Sequence, residues 1–110
     1  CEVDIIYVGL ASPELHIQRV AERVRRGGHD IPEDKIRERY RNSLVNLANF
    51  IGTPASIRVF DNSEQSADGT PMPFEVFKIQ DGAFTFEVPP KNVPRWAKPL
   101  ILRAAKFYKL

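Results

Sequence analysis

The chain reads as an α/β protein: a parallel sheet with flanking helices, then a β-hairpin and a C-terminal helix. Three features predict this. VDIIYVGL (3–10) is a nearly continuous apolar run with β-branched residues, the pattern of a strand buried on both faces of a helix-covered parallel sheet. Behind it, 13–26 and 32–51 repeat apolar residues at helical spacing. FEVFKI, QDG and AFTFEV (74–88) alternate around an Asp-Gly turn signal, which is hairpin patterning.

Each element has local reasons. Ser12 can cap a free backbone N–H, Pro13 suits the first helical position, and Glu14 meets the positive end of the helix dipole. Ile17, Val20, Ala21 and Val24 then make one apolar stripe, and Gly27-Gly28 ends the helix. The second helix is predicted from Pro32 to about Ile51, with Glu33 and Asp34 in its first turn. Its buried stripe is Ile36, Tyr40, Leu44, Leu47, Ala48 and Ile51, and Arg37 and Arg41 sit one turn apart on a neighbouring face. Gly52-Thr53-Pro54 stops it. SIRVFDN (56–62) reads as a strand with a polar tip, 63–73 as a turn-rich loop, and PPKNVP (89–94) as a rigid connector. Arg95 to Leu110 closes the chain as a helix on Ala97, Leu100, Ile101, Ala104 and Tyr108, with Pro99 tolerated in its first turn. Strand 3–10 needs neighbours on both sides, yet the sequence starts with it. We therefore expect residues 1–110 to be a single partial domain, the C-terminal part of a larger one.

Composition narrows the function classes. The 110 residues are 43% hydrophobic and 27% charged, a globular balance. No apolar run approaches the roughly 18–20 residues that span a bilayer, so no membrane partner is expected. A signal peptide is not indicated, and one cysteine, Cys1, forms no internal disulfide; both point to the cytoplasm. Cys1 is assigned no role.

The formal net charge is only +2, but the arginines are concentrated. Between Arg19 and Arg41 lie seven of the ten arginines plus Lys35, against five acids, a local balance of +3. Three readings fit these residues. Helix surfaces are often charged, and Glu22 with Arg26 or Glu33 with Arg37 are ordinary i,i+4 pairs on a solvated face. A nucleic-acid surface is the second, though no aromatic residues interleave and the net charge is small, so nucleic acid is disfavoured. The third is a phosphoryl site, because the guanidinium fork matches phosphate oxygens and every basic residue here but one is Arg. On counts alone the solvated face leads. His29 reads as a cap or surface residue, and His16 as surface. Neither has a partner at metal-ligand spacing, so no protein-only metal site is expected. No G-x-S-x-G and no G-x-x-x-x-G-K-[ST] occurs, so these residues alone do not cradle a nucleoside triphosphate in the usual way.

Residue order adds more. YVGL, SPELHIQRVAERV, RRGGHDIPEDKIRERYRNSLVNL, FDNS, the hairpin and VPRWAKPL follow one another in a way that closely resembles the C-terminal half of the zeta-toxin-like P-loop kinases, small bacterial proteins often labelled predicted ABC-type ATPases. The likeness covers essentially the whole chain and is most specific over 25–47; a looser one exists to gluconate kinases. It implies the C-terminal part of a P-loop nucleoside-kinase-like parallel sheet, with 25–41 as a lid over the phosphates. Arg26 then matches the first lid arginine, Arg39 the second and Arg37 its alternate, all stabilising the transferred phosphoryl group. Gly27 and Gly28 fit a hinge or a close backbone approach. The resemblance makes His29 a phosphate contact or a helix cap, Arg41 a secondary phosphate contact, and Tyr40 a packing residue more readily than a binding one. Asn42 replaces a basic residue common in related sequences. Asn62 of the FDNS tip becomes a neighbour of the nucleotide. ATP or GTP with Mg²⁺ is the implied cofactor. A small-molecule hydroxyl is the implied acceptor, a UDP-sugar in zeta toxins, and an antitoxin protein is an implied partner. The upstream half of such kinases carries the phosphate loop, the Mg²⁺ ligands and the activating acid, none of which is in this sequence, so the chain alone is expected to be inactive. Two further expectations stay open: a non-enzymatic module using the arginine face for nucleic acid or an acidic partner, and a homodimer that covers strand 3–10.

Overall fold

Residues 3–109 are described by the computed structural model. Strand β1 (Asp4–Gly9) pairs in parallel with β2 (Ser56–Asp61), while β3 (Phe74–Gln80) and β4 (Ala83–Phe86) continue the sheet antiparallel, in the order β1-β2-β3-β4. Helices α1 (Pro13–Arg25) and α2 (Glu33–Phe50) make the crossover between β1 and β2, and α3 (Lys98–Ala104) lies near the C-terminus. The protein is therefore α/β with a mixed four-stranded sheet and three α-helices among the described residues. One strand pair is parallel, and the expected hairpin extends the same sheet.

Register explains where the core sits. Ile5, Tyr7 and Gly9 lie opposite Ile57, Val59 and Asp61, which are flanked by Ile79, Phe77 and Phe74. This face packs with Leu47 and Ile51 of α2 and with Trp96, Ala97, Leu100 and Ala104. The other face is open. Ile6 and Val8 are 66% and 53% exposed; Arg58 pairs with Glu75 and lies over Phe60, and Lys78 pairs with Glu87. The expectation that 3–10 is buried on both faces is thus corrected. β1 is an edge strand, and among the described residues its apolar run has a cover on one side only.

The helix ends follow their sequence signals. Ser12 Oγ accepts the Leu15 N–H at 3.2 Å. At the other end of α1, Gly27 takes φ +94°, its N–H reaches the Val24 carbonyl, and the Gly28 N–H reaches that of Arg23. This is a Schellman close, and a side chain on Gly28 would meet the Arg23 carbonyl at 2.9 Å. In the β3–β4 turn Asp81 and Gly82 both have positive φ, 53° and 73°, as a two-residue type I′ loop requires.

The C-terminal helix differs from expectation. In place of one helix over 95–110 there is a 3₁₀ turn at Arg95–Ala97, then α3, then turns. The Ala104 carbonyl accepts both the Phe107 and Tyr108 N–H groups, which tightens and ends the helix. Arg103 Nε donates to the Ala48 carbonyl, and the Phe107 ring lies so close to Gly52 that a Cβ there would come within 2.7 Å of it. These contacts hold the tail against the end of α2. Leu110 lies outside the described residues, as does Cys1. The molecule is elongated, 45 × 28 × 23 Å.

Candidate functional site

A cleft of about 610 Å³ opens at the carboxyl ends of β1 and β2, between α1, the first half of α2 and the loop after β2. Open α/β sheets bind ligands at this end. The α1 wall is basic because of spacing: His16, Arg19, Arg23 and Arg26 fall at i, i+3, i+7 and i+10, one face of a helix, and all four line the cleft. From α2 come Arg39, Tyr40 and Ser43, and from beyond β2 comes Asn62.

The walls are fixed by bonds that tie the chain ends together. Asp61, 3% exposed, accepts Trp96 Nε1–H at 2.7 Å on one oxygen and the Ser63 N–H at 2.7 Å on the other. Ser63 Oγ accepts the Ala11 N–H, and the Ser63 carbonyl accepts an Arg19 N–H at 3.2 Å. Gly9 permits this closure, since a Cβ there would lie 2.5 Å from the Trp96 ring. Tyr40 donates to the Leu10 carbonyl at 3.0 Å, and the Tyr7 and Ser43 hydroxyls bond each other at 3.0 Å. Burial raises the pKa of both phenols, so they remain neutral at physiological pH.

The cations are not compensated. Among the described residues the ion pairs are Lys35–Glu38, Arg37–Glu14, Arg58–Glu75 and Lys78–Glu87; none involves Arg19, Arg23, Arg26 or Arg39. Glu22 is the one carboxylate among the lining residues. Burial lowers the pKa of His16, and the positive charges of Arg23, Arg19 and Arg39 lower it further. Among the described residues two buried side-chain polar atoms have no partner, Arg19 Nε and Asn62 Oδ1, and both residues line the cleft. The arrangement is a ready receptor for an oxyanion.

The structure brings Arg26, Arg39 and Asn62 to this one cleft. Arg26 also borders a second hollow beside Glu22, Arg25 and Asp68. Arg37 is instead held by Glu14 at 3.0 Å, and neither it nor the exposed His29 and Arg41 lines the cleft. Sequence reasoning passed over Arg19 and Arg23 and read His16 as surface. The signal was available, since the helical periodicity applied to the apolar residues also aligns the basic ones. Trp96 as the partner of Asp61 had no such signal, because 35 residues separate the two. Among the described residues no three His, Cys, Asp or Glu side chains group as a metal site. No described helix is long and apolar enough to cross a membrane. Comparison with protein-family models, curated proteins and solved structures finds no match to this chain.

Proposed function

We propose that this chain carries the phosphoryl-binding arginines of an ATP- or GTP-dependent small-molecule kinase of the zeta-toxin kind. The observation that supports the reading is the convergence of four guanidiniums without ion pairs on one cleft at the carboxyl end of the sheet. In this reading Arg26 and Arg39 close from the two helices over the phosphoryl group in flight. Their fixed positive charge meets the charge spread over its equatorial oxygens. Asn62 contacts the nucleotide, and Asp61 and Trp96 hold the strand end on which it sits. The phosphate loop and the Mg²⁺ ligands then come from outside these 110 residues, in the arrangement of a P-loop-like parallel sheet. The acceptor is a small molecule with a free hydroxyl.

Calorimetric titration of the 110-residue chain with ADP and with pyrophosphate tests this. Both bind, and Arg26→Ala and Arg39→Ala each weaken binding about tenfold or more, the usual effect of losing a charge-assisted bond. Lys91→Ala removes an equal charge away from the cleft and leaves affinity unchanged. No binding by the folded chain, or no effect of either arginine, overturns the proposal. Tight binding of DNA or RNA with a steep salt slope would assign the cleft to the nucleic-acid alternative instead.

A further inference from the structure

The kinase reading uses Arg26 and Arg39 and leaves the inner part of the α1 stripe without a task. His16 and Arg26 are ten residues apart, about 15 Å along the helix axis. One phosphoryl group does not reach both ends of such a stripe. His16, Arg19 and Arg23 line the cleft from successive turns of α1, and Arg39 lines it from α2. The charges of these three arginines are also the ones that lower the His16 pKa, so His16 and the three arginines make a group of four.

Hydrogen-bond accounting shows what that group lacks. Several acceptors along the walls are already engaged: the Leu10 carbonyl by Tyr40, the Ser63 carbonyl by Arg19, and one of the Ser43 and Tyr7 hydroxyls by the other. The donors are not. Arg19 Nε is buried without a partner, and Arg23 and Arg39 make no ion pair among the described residues. A ligand for this place must be rich in acceptors and negatively charged. The exceptions are the Glu22 carboxylate and the buried Asn62 Oδ1, and at Asn62 a half-turn of the amide presents a donor in its place.

We propose that His16, Arg19, Arg23 and Arg39 form an oxyanion subsite for a tetrahedral phosphate-type dianion, and that His16 gains a proton as the anion binds. The subsite rests on the phosphoryl reading only in sharing Arg39 and the cleft. Without an anion, protonating His16 would add a fourth cation beside three arginines. With a dianion in place the fourth cation is attracted rather than repelled, and the imidazolium becomes a further donor. No bond of the anion is made or broken; one proton passes from the solvent acid to the free imidazole nitrogen. The charged and titratable groups around His16 are Arg19, Arg23 and Glu22 on its own helix, Arg39 and Tyr40 from α2, and Tyr7 from β1. Glu14 is engaged by Arg37. Tyr7 and Tyr40 stay neutral throughout, so His16 is the group whose protonation answers the anion.

Sulfate is the clean probe, because it remains a dianion from roughly pH 5.5 to 8, where an imidazole titrates. Sulfate binding to the 110-residue chain is followed by calorimetry across that range, and the two histidines are followed by proton NMR. The expected result is affinity that weakens as pH rises, approaching about tenfold per unit where one proton is coupled. The His16 resonance titrates below 6.5 without sulfate and moves upward with it. His16→Gln binds sulfate with a flat pH profile. A parallel series with glycerol 3-phosphate distinguishes an organic phosphomonoester from the free ion as the preferred occupant; either preference supports the subsite. Sulfate affinity independent of pH in the wild-type chain, or a His16 resonance that ignores sulfate, overturns it, and neither readout depends on a variant folding. If ADP binds through Arg26 and Arg39 but sulfate shows no proton coupling, the subsite falls and the kinase reading stands. If sulfate couples to His16 while ADP does not bind, the subsite stands and the kinase reading falls.

Discussion

Replacing Trp96 by phenylalanine tests the bond that closes the end of the sheet. Trp96 is 8% exposed, and its Nε1–H donates at 2.7 Å to Asp61, which is 3% exposed. The substitution leaves one oxygen of a buried carboxylate with no donor, because the other is already committed to the Ser63 N–H. A hydrogen bond to a charged group contributes about 1.5–3 kcal/mol, and the smaller ring loses apolar burial worth about another 1 kcal/mol. The expected loss is therefore about 2.5–4 kcal/mol, or roughly 10–25 °C in Tm for a domain of this size. Urea unfolding followed by far-UV circular dichroism is the suitable assay, since Trp96 is the chain's one tryptophan and the variant has no indole to monitor. Asp61→Asn supplies the second arm. The neutral amide weakens the bond, so Trp96→Phe should cost at least about 1 kcal/mol less in that background. A loss below about 1 kcal/mol, or equal losses in both backgrounds, would refute the reasoning that this buried pair holds the strand end.

Two further outcomes follow from the same region. Gly9→Ala places a methyl 2.5 Å from a Trp96 ring that Asp61 holds in place, and is expected to cost about 1–3 kcal/mol by the same urea assay. A variant as stable as wild type would mean the ring is free to move. The lowered pKa of His16 makes the unfolded chain bind more protons than the folded one below pH 6.5. Stability is then fully present above 6.5 and is lost as pH falls through the lower folded-state value, so Tm in anion-free buffer drops as pH is lowered from about 6.5. His16→Gln should show a shallower drop, and identical drops would sink the assignment.

Much of the fold was legible because its signals are local. The Ser12 cap, the Gly27-Gly28 close and the Asp81-Gly82 turn depend on a few adjacent residues, and each forms as read. The α2 stripe was legible for the same reason: Ile36, Leu47 and Ile51 repeat at the helical period and are buried. The closing helix was not, because its length is set by Arg103 reaching the Ala48 carbonyl and Phe107 packing on Gly52, partners about fifty residues away. The cover over β1 was misread because an apolar run records that a strand can be buried on two faces, while burial depends on which elements arrive.

By itself the sequence determined that this chain makes two helices between two strands, and that one helix carries basic residues at 16, 19 and 23 on a single face, with Arg26 following at its C-terminal cap. Helical geometry fixes that face whatever surrounds it. Tertiary structure alone decided that the stripe turns toward Arg39 and Asn62 at the end of the sheet, while Arg37 is drawn off by Glu14. The physical reason is range. A cap or a stripe is settled within a turn or two of chain, whereas a charge becomes part of a site only when the crossover brings distant elements to one cleft and leaves that charge without a counterion.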